Sequence, residues 1–257
     1  MRSWGREGRA APVVVLAALL VAWLAAGGTG AEEAPSDLFA LAEEVYARRT
    51  GAEDARQAIA LYQQALEAEP GRYQVPLRLA EAHWWLAEQV PKEERRALVE
   101  QGLVYARRAV ELAPGEAETH YWHGVLQARV GEERGILQSL FMVDDVVNEM
   151  TRTLELDPNH EGAHYVLSQV YRKVPGWPLS VGDKRKALEH ARVAAELSPD
   201  DTSRQLNLAE SLLALGENDE AARVLQRVLD MPLTPGDEVN SRKDKDRAAE
   251  LLGELGG

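Results

Sequence analysis

The sequence predicts an all-helical protein made by stacking one kind of helical hairpin, and three observations carry that prediction. Ala, Leu and Glu dominate the 257 residues while Ile and Phe occur twice each, so helix-favouring residues outweigh the β-branched and aromatic residues that favour strands. One phrase recurs: a small residue, another four on, another three beyond, and a proline after five more. Its copies are Ala58, Tyr62, Ala65 and Pro70; Gly102, Ala106, Ala109 and Pro114; and Ala187, Ala191, Ala194 and Pro199. Val146, Met150, Thr153 and Pro158 form a degenerate copy, and Ala221, Leu225 and Val228 a fifth, with Pro232 one position early. Steps of four and seven place these residues on one helical face, where small side chains let a neighbouring helix come close; the proline then ends the helix. Thirdly, apolar residues upstream of these helices, such as Leu79 with Ala80, Leu167 with Tyr171 and Leu208 with Leu212, supply a partner helix for each hairpin.

Taken in order, residues 1–31 read as a secretory signal peptide. Arg2, Arg6 and Arg9 precede an apolar run from Val13 to Ala26 and a string of small residues ending at Ala31. The run is shorter than the roughly 20 apolar residues of a membrane span, which makes a retained N-terminal anchor the alternative. Residues 32–36 form a short linker, and 37–257 a single solenoid of about five repeats whose last helix, 241–255, is a cap. Ala248, Ala249, Leu251, Leu252 and Leu255 lie on one side of that helix and charges on the other, as the exposed end of a hairpin stack requires.

Charge and composition exclude several functions. With 29 basic against 42 acidic side chains the chain carries −13, a sign that repels nucleic acid. It has no cysteine, so disulfides, thiolate metal sites and lipid attachment through an N-terminal cysteine are ruled out. Nothing matches a nucleophile elbow, a phosphate loop or a zinc-protease helix, so no enzyme, cofactor or metal is expected. The spacings His120 with His123 and His160 with His164 would suit two imidazoles on one metal, but no third ligand is indicated.

The recurring phrase resembles the tetratricopeptide repeat over residues 37–232. The resemblance implies a right-handed superhelix whose concave face is lined by the first helix of each hairpin, and a function in binding a protein partner. Carried over by register, the groove positions are Leu77, Glu81, Trp84 and Trp85; Tyr121, Val125 and Arg129; and Tyr165, Gln169, Arg172 and Lys173. An aromatic stripe ending in cations suits a small ligand with a hydrophobic body or a carboxylate. Against a plain repeat of about 34 residues, extra chain falls around Pro91 to Arg96, around Gly131 to Val143 and across 173–183. Two readings stay open for it: packing back on its own repeat, or closing over the concave face with Trp177 as part of a lid. The binding candidates are therefore Trp84, Tyr121, Arg129, Tyr165, Arg172, Lys173 and Trp177.

A narrower resemblance covers about residues 75–255. Tyr121-Trp122-His123-Gly124, then Leu154-Glu-Leu-Asp-Pro158, then Val174-Pro175 with Gly182-Asp183-Lys184 and Lys186-Ala187, resemble the periplasmic T-component family of TRAP transporters. Val181 stands where that family's loop has its second glycine. The resemblance implies a periplasmic accessory protein whose partner is a TRAP solute-binding protein. The alternative is a general periplasmic scaffold for envelope assembly or secretion, which would keep an open groove.

Overall fold

The computed structural model describes residues 37–234 and 237–256; the expected signal peptide, the linker at 32–36 and Gly257 lie outside the described residues. Among the described residues there are eleven helices and no strand: α1 (Leu38–Ala47), α2 (Ala52–Ala68), α3 (Gln74–Glu88), α4 (Lys92–Leu112), α5 (Ala117–Arg134), α6 (Ile136–Leu156), α7 (Glu161–Lys173), α8 (Lys184–Leu197), α9 (Thr202–Leu215), α10 (Asn218–Asp230) and α11 (Glu238–Gly256). None of them is long and apolar enough to cross a membrane.

The helix boundaries follow from local chemistry. Asp37, Asp183 and Asp201 begin α1, α8 and α9 by accepting two backbone N–H groups each, which would otherwise lack partners in the first turn. Helices α2, α4, α6 and α8 end at Ala68, Leu112, Leu156 and Leu197, each two residues before Pro70, Pro114, Pro158 or Pro199. The residue ahead of a proline is pushed out of the helical region, and Glu69, Ala113, Asp157 and Ser198 all sit at ψ of 67 to 96°. Helix α9 ends instead on Gly216, whose φ of +80° only glycine adopts without strain.

Consecutive helices pair as antiparallel neighbours into five hairpins, α1–α2 through α9–α10, and the first helices of successive hairpins also touch, α3 with α5, α5 with α7 and α7 with α9. The recurring phrase is the buried seam. Ala58, Tyr62 and Ala65, Ala106 and Ala109, Ala187, Ala191 and Ala194, and Ala221, Leu225 and Val228 are all fully buried. The core is accordingly a string of local clusters, each shared by neighbouring helices, as a one-dimensional stack requires. A buried polar contact joins the last two hairpins: the Asn207 amide donates to Ser168 Oγ at 2.9 Å, and Ser211 lies 3.3 Å from the same oxygen.

Helix α11 closes the end of the stack. Ala248 and Leu251 pack into the cluster of α8 to α10, while Thr202 donates to the Asp244 carboxylate at 2.7 Å. The Lys245 ammonium reaches the carbonyls of Leu229 and Met231 at the C-terminus of α10, where a cation offsets unpaired carbonyl groups.

Two of the three extra segments are built into helices. The residues around Pro91 to Arg96 start α4, and those around Gly131 to Val143 end α5 and begin α6; α4 and α6 reach 21 residues each, against 14 in α8. Leu137, Leu140, Phe141 and Val143 recur at short helical steps and continue the amphipathic pattern, with Gly135 at φ +99° making the turn between α5 and α6. The third segment is not helical. Gly182 N–H donates to the Pro175 carbonyl at 2.9 Å and Asp183 N–H to that of Tyr171 at 2.9 Å, folding 174–183 into a closed loop.

Candidate functional site: a cavity on the concave face

The first helices α3, α5 and α7 curve around a partly open cavity of about 830 Å³, floored by the N-terminal half of α6. Trp84 and Glu88 come from α3, Val125, Ala128, Arg129 and Glu132 from α5, and Tyr165, Val166, Gln169, Val170 and Lys173 from α7. Their spacing of three and four along each helix is the reason one face of three helices can line one concavity. Leu140, Met142, Val143 and Val146 of α6 make the floor, and Val174 with Pro175 the far rim.

Four of the seven predicted residues meet here: Trp84, Arg129, Tyr165 and Lys173. Trp84 is held by an edge-on contact with Trp122, ring centres 5.6 Å apart, and Tyr165 lies under the Arg204 guanidinium at 4.4 Å. Arg129 is already ion-paired, with Glu88 at 2.6 Å, Glu132 at 2.8 Å and Glu133 at 3.7 Å. Lys173 donates to Gln169 Oε1 at 2.8 Å and has no carboxylate within ion-pair distance among the described residues. Desolvation at the rim, and after it the like charge of Arg172, push its ammonium below the ordinary lysine value.

The other three lie elsewhere. Tyr121 faces a second, charged hollow of about 620 Å³ with Glu81, Glu118 and Glu161, and its ring packs on Gly162, where an added Cβ would come within 2.8 Å of it. Burial there pushes its phenol up to about 12. Arg172 turns away from the cavity toward α9, bonding Glu210 at 2.6 Å and Asn207 at 3.3 Å. Trp177 is 91% exposed and lines neither hollow, so the cavity has no lid over it at this position. Trp85, read by register as a groove position, packs into the first core cluster beneath Arg49.

The histidine spacings resolve into other partners. Glu149 of α6 lies between His120 and His123, at 2.7 and 2.9 Å from their Nδ1 atoms. Burial alone would raise this carboxyl, but the contacts with His123 and His120 outweigh it and hold the group below the usual glutamate range. His160 accepts the Ala163 N–H as the cap of α7, while His164 turns to His190 of α8, Nδ1 to Nδ1 at 2.9 Å. No group of three or more metal-ligating side chains suited to a metal ion occurs among the described residues.

The floor is the part of the site that sequence reasoning misses. A repeat period that is too long points to a loop around Met142 and Val143, although the apolar spacing of Leu140, Val143 and Val146 in steps of three is the signal for a helix.

Stacked hairpins with a concave first-helix face define the chain as a tetratricopeptide-repeat protein, and a tetratricopeptide-repeat family model matches residues 206–239. A second model, described as Regulator of microtubule dynamics protein 1-3, matches residues 40–174, just over half of the chain, and the chain belongs to that family. Among solved structures, it is similar to a thermophilic tetratricopeptide-repeat protein of Thermus thermophilus, with 20% identity, a TM-score of 0.58, and coverage of 85% of this chain and 99% of that one. It is also similar to the MamA protein, at 15% identity and a TM-score of 0.51 over 83% of this chain and 95% of that one. MamA from residue 41 to its end, from Desulfovibrio magneticus, gives 14% identity and 0.53 over 77% and 97%. At these identities the likeness is one of fold. Comparison with curated protein sequences gave no match.

Proposed function

We propose that this protein is a non-catalytic docking module that receives a partner protein in the cavity between α3, α5 and α7. The tetratricopeptide fold is suited to protein–protein interaction, and the single observation that carries the proposal is an apolar concavity on the face where such folds meet their partners. In its finer form the reading follows the sequence: an exported, periplasmic accessory of a TRAP-type transport system, meeting the solute-binding protein, with the cavity open to a small hydrophobic or carboxylate ligand. The match to a family named for regulation of microtubule dynamics favours a second reading, in which the same face meets a cytoskeletal partner.

A photo-activated cross-linker placed at Val166 inside the cavity and, as control, at Val104 on α4, which is 60% exposed, tests these readings in cells of the native organism. Capture of a solute-binding protein from Val166 alone supports the transport form. Tubulin-like proteins support the second reading, and envelope-assembly proteins alone make the protein a general scaffold. Equal capture from both positions removes the cavity as the docking site.

A further inference from the structure

Resting on that docking reading, we infer that the occupant of the cavity is an amphipathic helix of the partner, carrying a carboxylate toward Lys173. Two properties of the cavity select a helix over an extended peptide. Much of its lining is side chains without hydrogen-bonding groups, among them Val125, Ala128, Met142, Val143, Val166 and Val170. An extended strand laid along them would bury backbone N–H and C=O groups against apolar side chains, which disfavours it. Two of the polar side chains that line the cavity are already engaged, Gln169 through its Oε1 by Lys173 and Arg129 by three carboxylates. A helix satisfies its own backbone and needs from the cavity only room for an apolar stripe.

Charge orients that helix. The α3–α5 side of the rim holds Glu88, Glu132 and Glu133 around Arg129, whereas the α7 side holds Lys173 without a carboxylate partner among the described residues. A carboxylate from the partner at the α7 side supplies the missing counter-charge, and a basic residue at the other end meets the acidic side. The apolar surface continues past the cavity, since Leu137 and Phe141 project from the same end of α6 as Leu140 and are 73% and 79% exposed. The occupant therefore runs beyond the cavity over the start of α6.

A phage-displayed library of random peptides about five helical turns long, selected against the full chain, is the direct test. The expected winners carry apolar residues at steps of three, four and seven with an Asp or Glu beside the stripe, and become helical by circular dichroism when bound. Lys173→Glu is expected to weaken them at least roughly tenfold and to shift a repeated selection toward peptides carrying Lys or Arg at the acidic position. Winners with strictly alternating apolar residues or with central prolines, still blocked by Val170→Glu, would remove the helix and keep the docking site. Winners indifferent to Val170→Glu would remove both. No enrichment, together with saturable uptake of a fluorescent fatty acid by the same chain, would assign the cavity to an acyl chain and overturn the inference.

Discussion

Met150 occupies the space that a side chain at position 124 would need. A Cβ built on Gly124 of α5 collides with the Met150 Cε and lies 3.0 Å from the Glu149 Cβ on α6. The recurring phrase places Ala106 and Ala191 at the equivalent of Met150 in the second and fourth hairpins, so the third carries a larger residue in its seam, and the neighbouring helix gives up its own side chain to admit it.

Gly124→Ala is therefore expected to destabilise the fold by about 1–3 kcal/mol, because the fully buried Met150 must repack and the Glu149 Cβ, which cannot rotate away, already lies at 3.0 Å. In a Met150→Ala background the same change is expected to become neutral or stabilising, since alanine is the better helix former by ~1 kcal/mol. Urea unfolding of the four variants measures the coupling, and additive effects would refute the packing account.

Arg172 ties α7 to α9 through Glu210 at 2.6 Å, with the two side chains 16% and 24% exposed. Arg172→Ala leaves that partly buried carboxylate with only the longer contact to Arg247, at 3.9 Å, and a loss of about 1 kcal/mol is expected. Thermal unfolding checks it. An unchanged midpoint would return Arg172 to the groove residues with which the register places it.

His190 is pushed down to about 4 by burial, then by His164 and Lys186. Its unfolded form takes up a proton near 6.5 while the folded form does not, so its contribution to stability is complete above about pH 6.5 and is lost as pH falls toward 4. Glu149, held below the ordinary glutamate range, extends the acid loss further: its contribution fades as pH drops through its lowered value. His190→Gln is expected to flatten the decline between pH 6.5 and 4 and leave the lower part in place. Denaturation midpoints across that range, with an NMR titration of His190, decide it.

Trp177, at 91% exposure, contributes little to the fold. Trp177→Ala is expected to change stability by no more than about 0.5 kcal/mol, and its fluorescence to be open to iodide quenching. A drop of several degrees in melting temperature would show that the loop after α7 depends on it.

The repeated hairpin was legible because two local rules act at every copy: small residues at steps of four and seven bury one helical face, and a proline ends the helix that carries them. Val146, Met150, Thr153 and Pro158 could be found even in degenerate form, since the spacing survives when the residue sizes do not. Part of the site was legible on the same grounds. Trp84, Arg129, Tyr165 and Lys173 repeat at groove positions of their first helices, and a register is a property of one helix at a time.

Tyr121 and Arg172 show where that register stops being sufficient. Tyr121 belongs to the second hollow because Gly162 of the next hairpin admits its ring, and Arg172 leaves the groove because Glu210 stands across from it on α9. Neither partner is near in sequence. By itself the sequence determined the repeated hairpin, the proline-set ends of its second helices and the buried face of each, all consequences of neighbours within two turns. Only the tertiary structure decided that the extra residues lengthen α4 and α6, that α6 floors the cavity, and which cations remain free to meet a partner, because those depend on charges and volumes brought together from separate hairpins.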